Sequence, residues 1–372
     1  YEFITTAYAD EASFDKQKFT NQFNKGYDTD WWDEVTRSAF NQNYNLSVRT
    51  GTAKSRTALS LGYVDEQGAL ITTDFNRLNL RLNQEYDINK YVTVGATINI
   101  ADMRKKDAGA LAHFDQIQKA DPFTPVINPL VEPGSENYDY NKYAPTEWSW
   151  DPNPVSRLRL IDSHHNSFNA FGNLFAQVNL THDLHYRFQL SFERDNDTYK
   201  SFTPVYESVF SADNLANMQS KSNTYTQLTH NTGWVKNYMV ENRLNYTHDF
   251  GRHHLDVMAA ITYEKNDSEG INAYKHTAVG NDEAYRVLDA QTAGDLTSGG
   301  RTKTAMMSYL GRVNYAYADR YLATVNFRAD GSSVRFHPAA LIHQLFARLR
   351  PQLIVTHSHQ IKDQAQYYAQ HH

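Results

Sequence analysis

An antiparallel, up-and-down transmembrane β-barrel is the all-β fold class that this sequence predicts, with about ten strands of a larger barrel present. Three observations carry the expectation. Apolar and polar residues alternate along ten successive runs, and a period of two gives each strand two unlike faces. Short and long connections alternate between the runs. Aromatic residues reach 13%, with 25 Tyr and 19 Phe, in a chain whose mean hydropathy is only −0.67, more aromatic surface than a soluble globule of that polarity usually spends.

Composition excludes several classes. The net charge of −6 favours neither nucleic acid nor an anionic membrane surface. The absence of cysteine removes disulfides, thiolate nucleophiles and Cys-ligated zinc. No apolar run reaches the roughly 18 residues of a transmembrane helix, a requirement that a barrel does not share, because only alternate residues face lipid.

Residues 1–40 lack alternation and are predicted to be irregular, with short helical pieces at Glu11–Phe23 and Trp31–Ser38. They start with neither a basic n-region nor an apolar h-region, and Tyr1 is not an initiator, so the sequence is expected to begin inside a longer protein. Four strands follow within Asn41–Asp102. Their apolar positions are Leu46 and Val48, then Leu59, Leu61 and Tyr63, then Leu78, Leu80 and Leu82, then Val92, Val94, Ala96, Ile98 and Ile100. Met103–Ser163 holds seven of the ten prolines and cannot be sheet interior.

Alternation returns at Ala170–Leu180 and Leu184–Phe192, joined by a tight turn at Thr181–Asp183. A long segment, Arg194–Gly233, leads to strands around Val240–Tyr246 and Leu255–Tyr263. Another, Lys265–Thr302, leads to Tyr309–Tyr317 and Tyr321–Phe327. Ten strands thus make five hairpins. Short turns on one rim and long loops on the other are the pattern of an outer-membrane barrel. The organisation expected is a lead-in at 1–40, a partial barrel at 41–333 and an atypical tail at 334–372.

Three segments resemble the TonB-dependent outer-membrane transporters of the SusC/RagA type. TDWWDEVTRSAFNQNYNLSVRTG (Thr29–Gly51) resembles their passage from plug into barrel. SLGYVDEQGALITTDFNRLNLRLN (Ser60–Asn83) is similar to their recurrent strand, Gly turn and Arg-Leu-Asn strand. SYLGRVNYAYADRYLATVNFRADGSS (Ser308–Ser333) is similar to their tyrosine-rich hairpin. The resemblance covers about residues 29–333 and implies a barrel of about 22 strands, preceded by a signal sequence, a small regulatory-like domain, a TonB box and a plug that are not in this sequence. It also implies a TonB complex and a SusD-like surface lipoprotein as partners, outer-membrane lipid around the barrel, and a glycan or peptide as cargo. After Arg335 the six-histidine stretch HPAALIHQLFARLRPQLIVTHSHQIKDQAQYYAQHH departs from that pattern, with a helix-like piece at Ala339–Arg350, and reads as a frameshifted or truncated frame, the alternative being a genuine tail.

In a barrel, Arg49, Arg81, Arg187, Glu241, Arg243, Glu264, Arg312 and Arg328 must face the lumen, because charge at the lipid midplane costs about 2 to 4 kcal/mol. Tyr63, Tyr91, Tyr263, Tyr317 and Tyr321 suit an interfacial girdle. Trp148 and Trp150 fall in a long loop, where they could stack on a sugar or a partner, loop packing being the commoner use. His164 with His165 and His253 with His254 are adjacent in strands and point to opposite faces, so neither pair suits a metal. No cofactor is expected, and no P-loop, G-x-G-x-x-G, H-E-x-x-H or G-x-S-x-G signals an enzyme. The competing reading is a soluble or surface-attached, aromatic-rich β-sheet binding protein.

Overall fold

The computed structural model describes residues 20, 23–107, 114–146, 153–207, 223–318 and 320–333, and the backbone of 352–357. The strands are β1 (Asn41–Gly51), β2 (Ser55–Gln67), β3 (Asp74–Asp87), β4 (Val92–Lys106), β5 (Asp162–Asn179), β6 (Leu184–Thr203), β7 (Gln227–Phe250), β8 (His253–His276), β9 (Ala293–Tyr317), β10 (Tyr321–Ser332) and β11 (Gln352–His357). They form one sheet in sequence order, every neighbouring pair antiparallel. The sheet is unclosed, with β1 and β11 as its edges. The first ten strands are those the alternation predicts. The eleventh lies in the tail, where Leu353 and Val355 stand opposite Val325 and Ala323. The helix-like stretch expected at Ala339–Arg350 lies outside the described residues.

Loops segregate as the sequence predicts. Connections 52–54, 88–91, 180–183, 251–252 and 318–320 fall on one rim, and 68–73, 107–161, 204–226 and 277–292 on the other. The two later long connections need correction, however. Much of Arg194–Gly233 and Lys265–Thr302 is strand, because β6, β7, β8 and β9 run for 20, 24, 24 and 25 residues. At about 3.3 Å per residue the longest measure about 80 Å, whereas a crossing needs about 9 to 11 residues. The backbone ladder continues above the apolar stretch without an apolar side-chain pattern to mark it, which is why alternation understates these strands.

Two glycines sit under phenylalanine rings on the neighbouring strand. Gly95 faces Phe175 and Gly172 faces Phe192, and a Cβ at either glycine would stand 2.3 or 2.7 Å from a ring carbon. The ring covers the backbone that glycine leaves bare.

At the long-loop rim the lead-in packs among the loops. Helix α1 (Trp31–Val35) is capped by the Asp30 carboxylate, which accepts from Trp32 N and Asp33 N, with Asp33 and Glu34 favourably placed in its first turn. The first long loop contains α2 (Phe114–Lys119), α3 (Tyr138–Asn141) and α4 (Pro154–Leu160). Helix α4 starts with Asn153 as cap and Pro154 in its first turn. Trp31, Val35, Leu70, Ile71, Ile117, Tyr143, Val155 and Leu158 form a buried cluster. Trp31 Nε1 donates to Asp121 O at 2.7 Å, and Thr72 Oγ1 to Leu158 O at 2.6 Å. Residues 29–37 therefore arrive at the long-loop rim, and β1 runs from that rim toward the short turns.

Candidate functional site: a wall with two unlike faces

Residues directly opposite each other on neighbouring strands share a face, so the register sorts every side chain. Arg49 stands opposite Ala58, which leads across to Asn83, Thr97, Asn173 and Ser191. Arg187 stands opposite Arg243, Glu241 opposite Thr262, and Arg312 opposite Met258 and Asn326. Followed this way, Arg49, Arg81, Arg187, Glu241, Arg243, Glu264, Arg312 and Arg328 all share one face. The sequence proposed them as a set, and the pleat brings them to one side.

That face carries many polar pairs, with Phe171, Phe175, Met239, Met258 and Met306 set among them. Arg56 bridges Glu85 and Asp87 at 3.1 and 2.9 Å. The Arg187 guanidinium lies 3.7 Å from the Phe175 ring centroid, a cation over an aromatic face. Arg243 pairs with Glu241 at 3.4 Å, and Arg328 with Asp330 at 2.8 Å. Thr324 donates to Asn314, and Asn314 and Thr247 both donate to Asp256. Asn237 donates to Glu193, and Asn169 to Asp195. Arg49, Ala58, Asn83, Thr97 and Phe175 line a hollow of about 460 Å³. The arrangement offers alternating donors, acceptors and charges of both signs, suited to passing hydrated, polar material.

The opposite face is apolar. Leu46, Leu59, Leu61, Leu78, Leu174, Leu244, Ile261, Tyr263, Val325 and Phe327 are all exposed, Leu46 by 65%. Among the described residues no second layer covers them. Asn242 interrupts this belt and accepts from Tyr186 Oη at 2.6 Å. Of the tyrosines expected at its margins, Tyr63, Tyr263, Tyr317 and Tyr321 are on this face; Tyr317 stacks on Tyr321 at 6.4 Å beside the last short turn. Tyr91 precedes β4 at a short turn, with Lys90 Nζ 4.8 Å from its ring.

Sequence reasoning missed one feature of this face. Just above the belt, toward the long loops, it carries Arg194, Lys236, Lys265, Arg301 and Lys303 around Trp234. The signal was available: on β6, β7, β8 and β9 a basic residue stands two positions beyond Phe192, Tyr238, Tyr263 and Ala305.

At the upper end of β5, Asp162 ties three elements together. Its carboxylate meets Arg286 of the 277–292 loop at 2.6 Å, His164 at 2.5 Å and Lys106 of β4 at 3.7 Å. Partial burial raises its pKa, but the attraction of His164, Lys106 and Arg286 outweighs burial and holds it below the usual 3.8. A depressed carboxylate contributes stability that is full above the unfolded value and lost as pH falls through the folded one. Protease resistance of the 277–292 loop is therefore expected to hold at neutral pH and to fall at pH below about 3.8. Asp162→Asn is expected to remove that pH dependence.

Trp148 and Trp150 lie outside the described residues. The histidine pairs divide between faces as expected: His164 meets Asp162 and His165 meets Asp197, while His253 meets Tyr315 Oη and His254 meets Asp249.

No protein-family model matches the chain. Among characterised proteins it is similar to TonB-dependent receptor P3 of Formosa agariphila, 25% identical over 339 residues, which are 87% of this chain and 32% of that protein. It is also 25% identical to TonB-dependent receptor SusC of Bacteroides thetaiotaomicron, over 82% of this chain and 30% of SusC. Among solved structures, the RagAB peptide transporter superposes with a TM-score of 0.68 at 19% identity, covering 89% of this chain and 35% of that one. The same RagAB importer in an open-open state gives a TM-score of 0.66 at 19% identity, over 88% and 34%. The chain thus spans about a third of the length of the relatives it matches. None of these relatives is named as an enzyme.

Proposed function

Because this chain is a relative of the TonB-dependent receptors, SusC among them, and carries the fold of about a third of such a barrel, we propose that it forms one side of an outer-membrane import channel. The observation that carries the reading is the sheet with a polar, charge-lined face on one side and an uncovered apolar belt on the other. An apolar face this large needs hydrocarbon or a second layer, and the belt is about nine residues deep on β6, from Leu184 to Phe192, which suits a bilayer crossing. The competing soluble binding protein would need a covering layer for that belt.

In the proposed assembly the polar face lines the lumen, the short turns lie in the periplasm, and the long loops form the outer mouth. The cargo is a nutrient too large for a simple pore, a glycan or a peptide. TonB supplies the driving force through a plug, and a SusD-like lipoprotein closes over the loops. The cap built from α1, the 68–73 turn and α4 gives that lid a firm seat. Residues 29–37 then belong to an outer loop, with β1 descending from it.

Because the chain has no cysteine, single-cysteine labelling tests the two faces without background. Asn173 and Leu174 are adjacent in β5 and share a depth. In outer-membrane vesicles, Asn173→Cys is expected to react with a membrane-impermeant maleimide and Leu174→Cys to be protected until the membrane is dissolved. Equal labelling of both in intact vesicles would overturn the membrane assignment.

A further inference from the structure

The apolar face of β6 to β9 changes character over three consecutive rungs. Leu190, Val240, Tyr263 and Met307 form one apolar rung. The next rungs toward the long loops are Phe192, Tyr238, Lys265 and Ala305, then Arg194, Lys236, Asp267 and Lys303, then Asn196, Trp234, Glu269 and Arg301. These three rungs hold five cations against two carboxylates, a surplus of three in a chain whose net charge is −6. Such a concentration on one patch of an otherwise acidic protein attracts a counter-charge.

The carboxylates supply only part of it, Asp267 standing between Lys236 and Lys303 on one rung. Asp267 is gripped by Arg301 through two hydrogen bonds of 2.9 and 2.8 Å, and Arg301 also approaches Glu269 at 3.8 Å. Among the described residues, Arg194, Lys236, Lys265 and Lys303 form no ion pair. Three cationic groups gather on the Trp234 ring instead: Lys236 Nζ lies 4.2 Å from its centroid, and the Arg301 and Arg194 guanidinium carbons lie at 5.5 and 5.7 Å. The ring orients these groups but cannot neutralise them.

The position of the patch identifies the missing anion. An apolar belt directly below, a Tyr and Trp margin, and unpaired cations directly above make the profile of a surface that meets acyl chains and then a charged head group. The geometry points to a binding surface for the phosphorylated head group of an outer-leaflet lipid, its phosphate among Arg194, Lys236 and Lys303 and its acyl chains along Leu190, Val240 and Tyr263. Arg194 already donates to the neutral Asn196 Oδ1 at 3.1 and 2.9 Å, and phosphate oxygens would accept charge-assisted hydrogen bonds from its remaining N–H groups and from Lys236 and Lys303, while the belt continues the contact into hydrocarbon. This inference rests on the apolar face being the lipid face.

The test uses the intact protein extracted from its own outer membrane, placed in nanodiscs of neutral phosphatidylcholine with a small fraction of lipid A, a phosphorylated glycolipid, and read by native mass spectrometry. The wild type is expected to retain lipid A. Arg194→Gln/Lys236→Gln/Lys303→Gln is expected to bind it about a hundredfold more weakly, from the strength of near-surface cations toward anionic lipid. Lys236→Gln alone loses about fivefold, and Lys236→Arg/Lys303→Arg keeps the binding. Unchanged heat-modifiable migration reports that each variant is folded, and the single variant serves if the triple one is not. Retention of lipid A by a folded glutamine variant overturns the proposal, as does its displacement by inorganic phosphate at equal concentration. If Leu174→Cys is protected from aqueous maleimide and the glutamine variants still bind, this proposal alone fails. If Leu174→Cys is labelled like Asn173→Cys, the membrane reading fails with it.

Discussion

Leu174→Arg is expected to destabilise the sheet in a bilayer by about 2 to 4 kcal/mol, the cost of a guanidinium near the midplane of a lipid-facing wall. Leu174 lies at the centre of the apolar stretch of β5, flanked across the rungs by Ala96 and Leu190. Asn173→Arg, one residue away, is expected to cost less than about 1 kcal/mol, because its rung is Thr97 and Ser191 on the polar face and a charge there stays hydrated. The measurement is urea unfolding of the protein folded into vesicles, followed by heat-modifiable migration. A large loss at both positions, or at neither, would contradict the two-faced wall.

Leu158→Ala is expected to loosen the cap by about 2 to 5 kcal/mol, the usual range for emptying a packed leucine site. Leu158 is only 1% exposed and belongs to the cluster that joins α1, the 68–73 turn and the first long loop. Its carbonyl also accepts from Thr72, so a shift of α4 is felt by the turn. The loss is local: limited proteolysis is expected to cut within 107–161 at protease concentrations that leave the wild type whole, while the strands persist. Unchanged cutting would mean that the cluster does not hold the loop.

The parts legible in the sequence were those where one face is apolar and uncovered. Leu78, Leu80 and Leu82 against Asn79, Arg81 and Asn83 gave both the strand and the side to which each residue points, and the eight charged residues followed from that alternation. Above the belt the physics changes. In 227–236, 267–276 and 293–303 both faces tolerate polar residues, so nothing in side-chain character marks the strand, and only the backbone ladder continues. The cap was illegible for another reason: Trp31 meets Asp121, and Thr72 meets Leu158, across 90 and 86 residues, and no local pattern reports such contacts. The cations around Trp234 are separated along the chain in the same way and become neighbours only through register.

The great length of β7, β8 and β9 also governs how the wall moves. In the proposed membrane setting, an opened rung within the belt finds no water to bond, so rungs there open together or not at all. Above it most side chains are partly exposed, and a broken pair exchanges its partner for water at small net cost, except at the top, where Phe202 and Leu228 are buried. Opening there has first to release the buried Thr226 to Gln291 contact and the Thr277 N to Thr226 O bond that tie the upper ends of β7, β8 and β9 together, and on the proposed membrane reading it travels downward until hydrocarbon stops it. The bilayer acts as a clamp on a zip, and its thickness sets the clamp's height: each residue of strand uncovered by a thinner membrane releases about 3.3 Å more. On the proposed membrane reading, lipid thickness, with no change in any side chain, therefore tunes how far the upper wall can peel apart.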